Sequence, residues 1–165
     1  MNDNFQDPCA DGVCRERMCG RMKRELSSFS FLEEADLDEI AGFFECRQAP
    51  AGKTLWREGD DCSFLAFIIQ GRLEVKKQTE FAGKEVVVGV YGRGAVVGEI
   101  CFFDGSRRAE TAQVLEHVDL ILLTRRSYER MVEAHPVLGV RLLEGMLLTV
   151  STRLRKSFER LAAIF

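Results

Sequence analysis

Between residues 50 and 125 the chain is cut by glycines and polar turns into short apolar runs, and that interruption limits the folds open to it. KTLW, FLAFIIQ, RLEVKK, EVVVGVY, TAQVLE and DLILLT are rich in Val, Ile, Leu and Phe. Runs of this length and composition read as strands, and their regular spacing predicts a roll or barrel. Upstream, FLEEADLDEIAGFF has helical spacing at Leu37, Ile40, Phe43 and Phe44. After Arg125 the period changes. SYERMVEAH reads as a short helix stopped by Pro136, which opens the next one. From there Val140, Leu143, Leu147, Val150, Leu154, Phe158, Leu161 and Phe165 recur at steps of three and four, close to the ~3.5-residue repeat of a coiled coil. Such a seam either pairs with another helix or packs lengthwise on the protein's own sheet. The expected fold class is mainly β with flanking helices and a long C-terminal helix.

The chain has 165 residues, 46% of them hydrophobic and 30% charged, which suits one globular domain with a real core. No apolar run approaches the ~18 residues that cross a bilayer, and MNDNFQDP lacks a basic region followed by an apolar stretch. A cytoplasmic protein without a membrane partner is therefore expected. The formal charge of −3 argues against a broad nucleic-acid surface. His117 and His135 are the only histidines, too few for a clustered His/Glu metal site, and no serine, cysteine or lysine stands in a recognisable nucleophile motif. Neither catalysis nor a bound metal is expected.

The segment from Gly98 to Thr111, GEICFFDGSRRAET, carries the chemistry. A turn opening at Gly98 offers a bare backbone and unpartnered amide N–H groups to an anionic oxygen. Arg108 supplies a planar fork that meets two phosphate oxygens at once. Its plainer role is a surface pair with Asp104 or Glu110. Glu99 would be repelled by a phosphate, so it makes sense as the acceptor of a sugar hydroxyl, or else as the cap of a turn. Phosphate together with a sugar hydroxyl points to a nucleotide.

These residues resemble the phosphate-binding cassette of the cyclic nucleotide-binding domain, shared by catabolite activator protein, protein kinase A regulatory subunits and cyclic nucleotide-gated channels. The family pattern runs approximately G-E-[LI]-x-L-x-x-x-x-x-R-[AST]-A-[TS], and Gly98, Glu99, Ile100, Phe102, Arg108, Ala109 and Thr111 fall on it without a gap. Gly52, Gly59, Gly71, Gly94 and Gly98 stand where the family's β-roll turns its corners. The resemblance covers about residues 30 to 160. It implies a double-stranded β-helix (jelly-roll) with the cyclic nucleotide-binding roll over 29–135 and a dimerisation and lid helix over 136–165; residues 1–28, polar with three cysteines, a basic run and no steady apolar period, read as a polar arm or short helix.

The function implied is a stand-alone sensor that binds cyclic AMP or another cyclic nucleotide and signals by repositioning its last helix, as a homodimer. Ligand contacts are expected from Gly98, Glu99, Ile100, Cys101, Arg108, Ala109 and Thr111, with Thr152 and Arg153 near the base. Cyclic AMP is favoured because guanine-preferring members often carry threonine where Ala109 stands. With the chain stopping at Phe165, the helix-turn-helix of the family's transcription factors is not expected, so no direct DNA contact follows. One position departs from the pattern: Glu110 replaces the usual small residue. A carboxylate facing the ligand at about 4 Å would repel the phosphate by on the order of 4 kcal/mol at an effective dielectric near 20. Strand alternation would turn Glu110 away if Ala109 faces the ligand.

Six cysteines, at 9, 14, 19, 46, 62 and 101, offer another class. An N-terminal cysteine group on this fold is similar to the iron–sulfur oxygen sensors of the fumarate and nitrate reductase regulator type, but Cys9, Cys14 and Cys19 are spaced by five, which on a helix spreads them over different faces. Gathered in a loop they would make a redox or iron–sulfur sensor; otherwise the cysteines are free thiols in a reducing cytoplasm. A ligand-free dimerisation scaffold of the same fold is the third alternative, with Glu110 as its argument.

Overall fold

The structure is a computed structural model that describes Phe5, Leu26, Phe29, residues 31–81 and residues 83–163. Helix α1 (Glu34–Ile40) starts with a capping box, in which the Glu33 amide donates to Asp36 Oδ2 at 2.8 Å, and it tightens into a 3-10 turn, Ala41–Phe43. Six strands follow: β1 (Glu45–Ala49), β2 (Thr54–Trp56), β3 (Phe64–Gln78), β4 (Glu85–Tyr91), β5 (Val96–Val97) and β6 (Thr111–Thr124). A short helix α2 (Glu99–Asp104) interrupts the strands before β6, and α3 (Arg125–Ala134) and α4 (Pro136–Ala162) close the described chain. The Thr124 hydroxyl accepts from the Ser127 amide and caps α3.

All strand pairings are antiparallel, in the order β1-β6-β3-β4, with β2 added on β6 and β5 on β3. The fold is the mainly β roll with flanking helices that the pattern predicts. FLAFIIQ and RLEVKK, read as two runs, form the single strand β3, just as TAQVLE and DLILLT form β6. The join in β3 is Gly71, at φ +82°, where the register against β6 shifts; an added Cβ there would stand 2.0 Å from the His117 carbonyl oxygen. Gly52, Gly59, Gly94 and Gly98 also have positive φ. Strand β1, ECRQA, has no apolar run to announce it.

The continuous apolar runs Phe64–Ile69 of β3 and Leu120–Leu123 of β6 are buried on both faces, because successive side chains point to opposite sides, whereas Val86, Val87, Val88 and Val90 of β4 are exposed. Leu65, Phe67 and Ile69 of β3 join Ile121 and Leu123 of β6 in a core shared with Leu37, Ile40, Met131, Leu138, Leu142 and Met146 of the helices. Ala66 and Ile68 point the other way, into the roll, with Leu55, Trp56, Val114, Leu120 and Leu122.

Helix α4 therefore lies on the roll through Leu138, Leu142 and Met146. The seam is a different stripe: Val140, Leu147, Leu154, Phe158 and Leu161 are all exposed. Lengthwise packing of the seam residues on the protein's own sheet is thus overturned for these five. Among the described residues no helix is long and apolar enough to cross a membrane.

Candidate functional site

Gly98 takes the left-handed conformation (φ +76°) that starts α2, and Glu99 is the first residue of the helix. An added Cβ at Gly98 would lie 2.3 Å from Arg108 Nη1, so the glycine is what lets the guanidinium reach the start of α2. Arg108 is 2% exposed. Its Cζ lies 4.1 Å from the Trp56 ring centroid and 4.6 Å from that of Phe64. Nη2 donates to the Phe64 carbonyl at 2.7 Å and Nη1 to Cys101 Sγ at 3.6 Å, while Nε has no partner. Among the described residues no carboxylate forms an ion pair with it, which excludes pairing with Asp104 or Glu110. Burial lowers its pKa to about 10, with the more distant charges of Asp60 and Glu110 acting the other way. At neutral pH it is a buried cation that makes no ion pair among the described residues, a costly arrangement unless an anion completes it.

The guanidinium forms one wall of a cavity of about 160 Å³. Gly98, Glu99, Ile100, Cys101, Ala109 and Arg153, all singled out from the sequence, line it as well. Trp56, Val75, Tyr91 and Val97 line it too; as ordinary core types in strands they carry no signal of a site. Lys77 Nζ donates to the Ala109 carbonyl at 2.7 Å and so fixes that peptide. Thr111 lies off the cavity: its hydroxyl accepts from the Glu58 amide at 3.0 Å and holds the loop after β2.

Arg153 of α4 closes the side of the cavity at Glu99. Nη2 pairs with Glu99 Oε1, Nη1 donates to the Val96 carbonyl at 3.1 Å, and the guanidinium lies 5.0 Å from the Tyr91 ring centroid. Arg153 also lines a second, larger groove of about 910 Å³ between α4 and the end of β4. Thr152 lines that groove with Tyr91, Leu148, Thr149 and Lys156, and is not a wall of the inner cavity.

Glu110 does not turn away. It lines the cavity, and its carboxyl pKa is raised, first by burial and then by the nearby charge of Glu99, with Lys77 and Arg153 opposing. The alternation argument fails because residues 109–110 form a bend and β6 begins only at Thr111.

Cys101 is not a free thiol. It forms a disulfide with Cys62, Cα atoms 5.9 Å apart, between α2 and the loop preceding β3. Among the described residues no group of His, Cys, Asp and Glu is arranged to hold a metal ion, and Cys9, Cys14 and Cys19 lie outside those residues.

The family model of the cyclic nucleotide-binding domain matches residues 46–135, which include the left-handed Gly98, Glu99 and the buried Arg108. The chain belongs to the cyclic nucleotide-binding domain family. The domain is similar to the cyclic AMP receptor protein of Thermus thermophilus, 25% identical over 111 residues, which cover 67% of this chain and 51% of the receptor. A lysophospholipase of Aspergillus oryzae is 31% identical over 90 residues, 54% of this chain but 6% of that enzyme. The chain thus spans about half of the receptor and a small part of the lysophospholipase.

Among solved structures, a cyclic nucleotide-binding domain from Methylobacillus flagellatus superposes with a TM-score of 0.82 at 21% identity, covering 91% of this chain and 85% of that one, and shows the shared fold. The regulatory domain of Toxoplasma gondii PKA in complex with cAMP has a TM-score of 0.61 at 28% identity, covering 73% of this chain and 45% of that one.

Proposed function

We propose that the protein is a non-enzymatic sensor of a cyclic mononucleotide, with cyclic AMP as its ligand. The observation that carries this reading is the Arg108 guanidinium, 2% exposed, with an unpartnered Nε and no ion pair among the described residues, at the wall of a cavity. A phosphodiester anion supplies the missing charge and accepts two parallel hydrogen bonds. The Ala109 amide and the peptide groups after Gly98 bind the remaining phosphate oxygens, and Glu99 accepts from the ribose hydroxyl.

An inner cavity of about 160 Å³ is smaller than the ~300–1,000 Å³ usual for ligand pockets. It suits phosphate and sugar and leaves the base to the adjoining groove lined by Thr152. Arg153 stands at the boundary of the two and is bonded to the carboxylate that the sugar needs. Ligand entry therefore re-orders Arg153, and α4 moves with it. A ligand that prefers the moved helix by a hundredfold shifts that equilibrium by about 2.7 kcal/mol. The exposed seam of α4 supports a homodimer as the receiver of that shift.

Titration calorimetry against a panel of cyclic mononucleotides tests the reading. Cyclic AMP is expected to bind, and Arg108→Ala to weaken it by at least about 100-fold, through loss of two charge-assisted hydrogen bonds. Silence toward every cyclic nucleotide would favour the scaffold reading, whose specific support is the second carboxyl, Glu110, on the cavity wall.

A further inference from the structure

We propose that Cys62 and Cys101 are a redox modification site, whose oxidation pins the cassette helix α2 and raises the affinity of the adjoining cavity for its anionic ligand. The pair stands where a covalent tie has leverage. The loop carrying Cys62, between β2 and β3, is already strapped to the arginine segment: the Gly59 amide donates to the Arg108 carbonyl at 2.8 Å, the Arg108 amide to the Asp60 carbonyl at 2.9 Å, and Arg107 Nη1 to the Gly59 carbonyl at 2.9 Å. The disulfide adds α2 to that assembly, so Gly98, Glu99 and Arg108 are held against one loop. Without it, α2 is six residues anchored by the burial of Glu99, Cys101 and Phe102, too short to be stable by its own hydrogen bonds.

The electrostatics act in the same direction. Arg108 Nη1 donates to Cys101 Sγ at 3.6 Å. In the disulfide that sulfur is neutral and Arg108 keeps its charge for a ligand. Reduction places a thiol there whose thiolate the guanidinium stabilises, and that thiolate competes with a phosphate for the same cation.

The two sulfurs are also unequal. Cys101 is 3% exposed, whereas Cys62 is only half-buried. A small thiolate attacks Cys62 Sγ, the S–S bond breaks, and the electron pair leaves on Cys101 Sγ beside Arg108. A second small thiol resolves the mixed disulfide and releases Cys62. In the forward direction a low-molecular-weight disulfide such as oxidised glutathione is the oxidant. Cys62 displaces one of its halves as a thiol, and the Cys101 thiolate displaces the other. Two protein thiols are oxidised, one external disulfide is reduced, and the two protons pass to the released thiols.

The test compares the whole chain after equilibration with oxidised glutathione and after dithiothreitol, with the 62–101 bond verified by peptide mapping. Two readouts follow, hydrogen exchange over residues 98–105 without ligand and calorimetry with cyclic AMP. Reduction is expected to speed exchange of those amides about tenfold and to weaken cyclic AMP about tenfold. Cys62→Ser is expected to behave as the reduced protein under both treatments. The affinity arm rests on the cyclic nucleotide reading, and the exchange arm does not. If neither state binds any cyclic nucleotide but exchange responds, the ligand reading falls and the pinning of α2 stands. If exchange differs by less than about twofold between verified states, or oxidised glutathione leaves both thiols unpaired, the redox site is refuted.

Discussion

At the scale of single residues, the pocket combines one buried cation with two carboxyls, and the carboxyls are not alike. Glu99 is bonded to Arg153. Glu110 has a carboxyl whose pKa is raised by burial first and by Glu99 second. A carboxyl with a raised folded pKa contributes stability that is present below its unfolded pKa and is lost as pH rises through the folded one. Ionised Glu110 also repels a phosphodiester, which stays anionic throughout this range. Cyclic AMP affinity is therefore expected to rise by about three- to tenfold from about pH 7.5 to about pH 5. Glu110→Gln is expected to bind more tightly at neutral pH, to melt higher there and to flatten the pH profile; calorimetry at several pH values and a thermal melt check all three. A profile unchanged by the substitution would show that the slope belongs to other groups. That Arg108 and Glu99 share one cavity was legible because an arginine and a glutamate at that spacing around Gly98 fall on the family's cassette pattern. Glu110 was misread because alternation is a property of extended strands, and the backbone at 109–110 bends.

At the scale of elements, what the sequence disclosed was composition in runs, and what it concealed was continuity. The helices at 125–134 and from Pro136 followed from a change of period and a proline. The two long strands were read as four because a glycine or a polar stretch interrupts each apolar run, although the backbone passes through those points without leaving the sheet. β1 was missed because ECRQA is polar, and β5 because it has two residues. The glycines also differ in a way that only the fold reveals. Gly52 and Gly71 share φ +82°, yet an added Cβ meets nothing within 4 Å at Gly52 and meets the His117 carbonyl oxygen at 2.0 Å at Gly71. Gly52→Ala is expected to cost only the conformational term, about 1 kcal/mol. Gly71→Ala must also displace β6, and is expected to cost at least about 3 kcal/mol, lowering Tm by about 6–12 °C. Equal melting temperatures for the two variants would mean that the corner at Gly71 has room to open.

At the scale of the whole molecule, α4 connects the cavity to an exposed apolar stripe. Its first half is fastened to the roll by Leu138, Leu142 and Met146. From Leu147 onward it carries exposed Leu147, Leu148, Leu154, Phe158 and Leu161, apolar side chains of the kind that mark interaction surfaces when they cluster. Arg153, which is bonded to Glu99 in the cavity, directly precedes Leu154 of that surface. Arg153 of the cavity wall and Leu154 of the seam are thus adjacent positions of one helix, and on the proposed reading a shift in one reaches the other. For the proposed homodimer, thermodynamic linkage requires reciprocity: whatever factor dimerisation adds to cyclic AMP affinity, cyclic AMP adds to dimer affinity. The double substitution Leu154→Glu with Phe158→Glu removes two seam contacts without touching the cavity lining. Sedimentation at micromolar concentration is expected to show a dimer for the parent protein and a monomer for the variant. Calorimetry on that monomer is expected to show cyclic AMP bound about tenfold more weakly. A monomer that binds as tightly as the parent would place the signal somewhere other than α4, and leave the Arg153–Glu99 contact as a local latch on the sugar site.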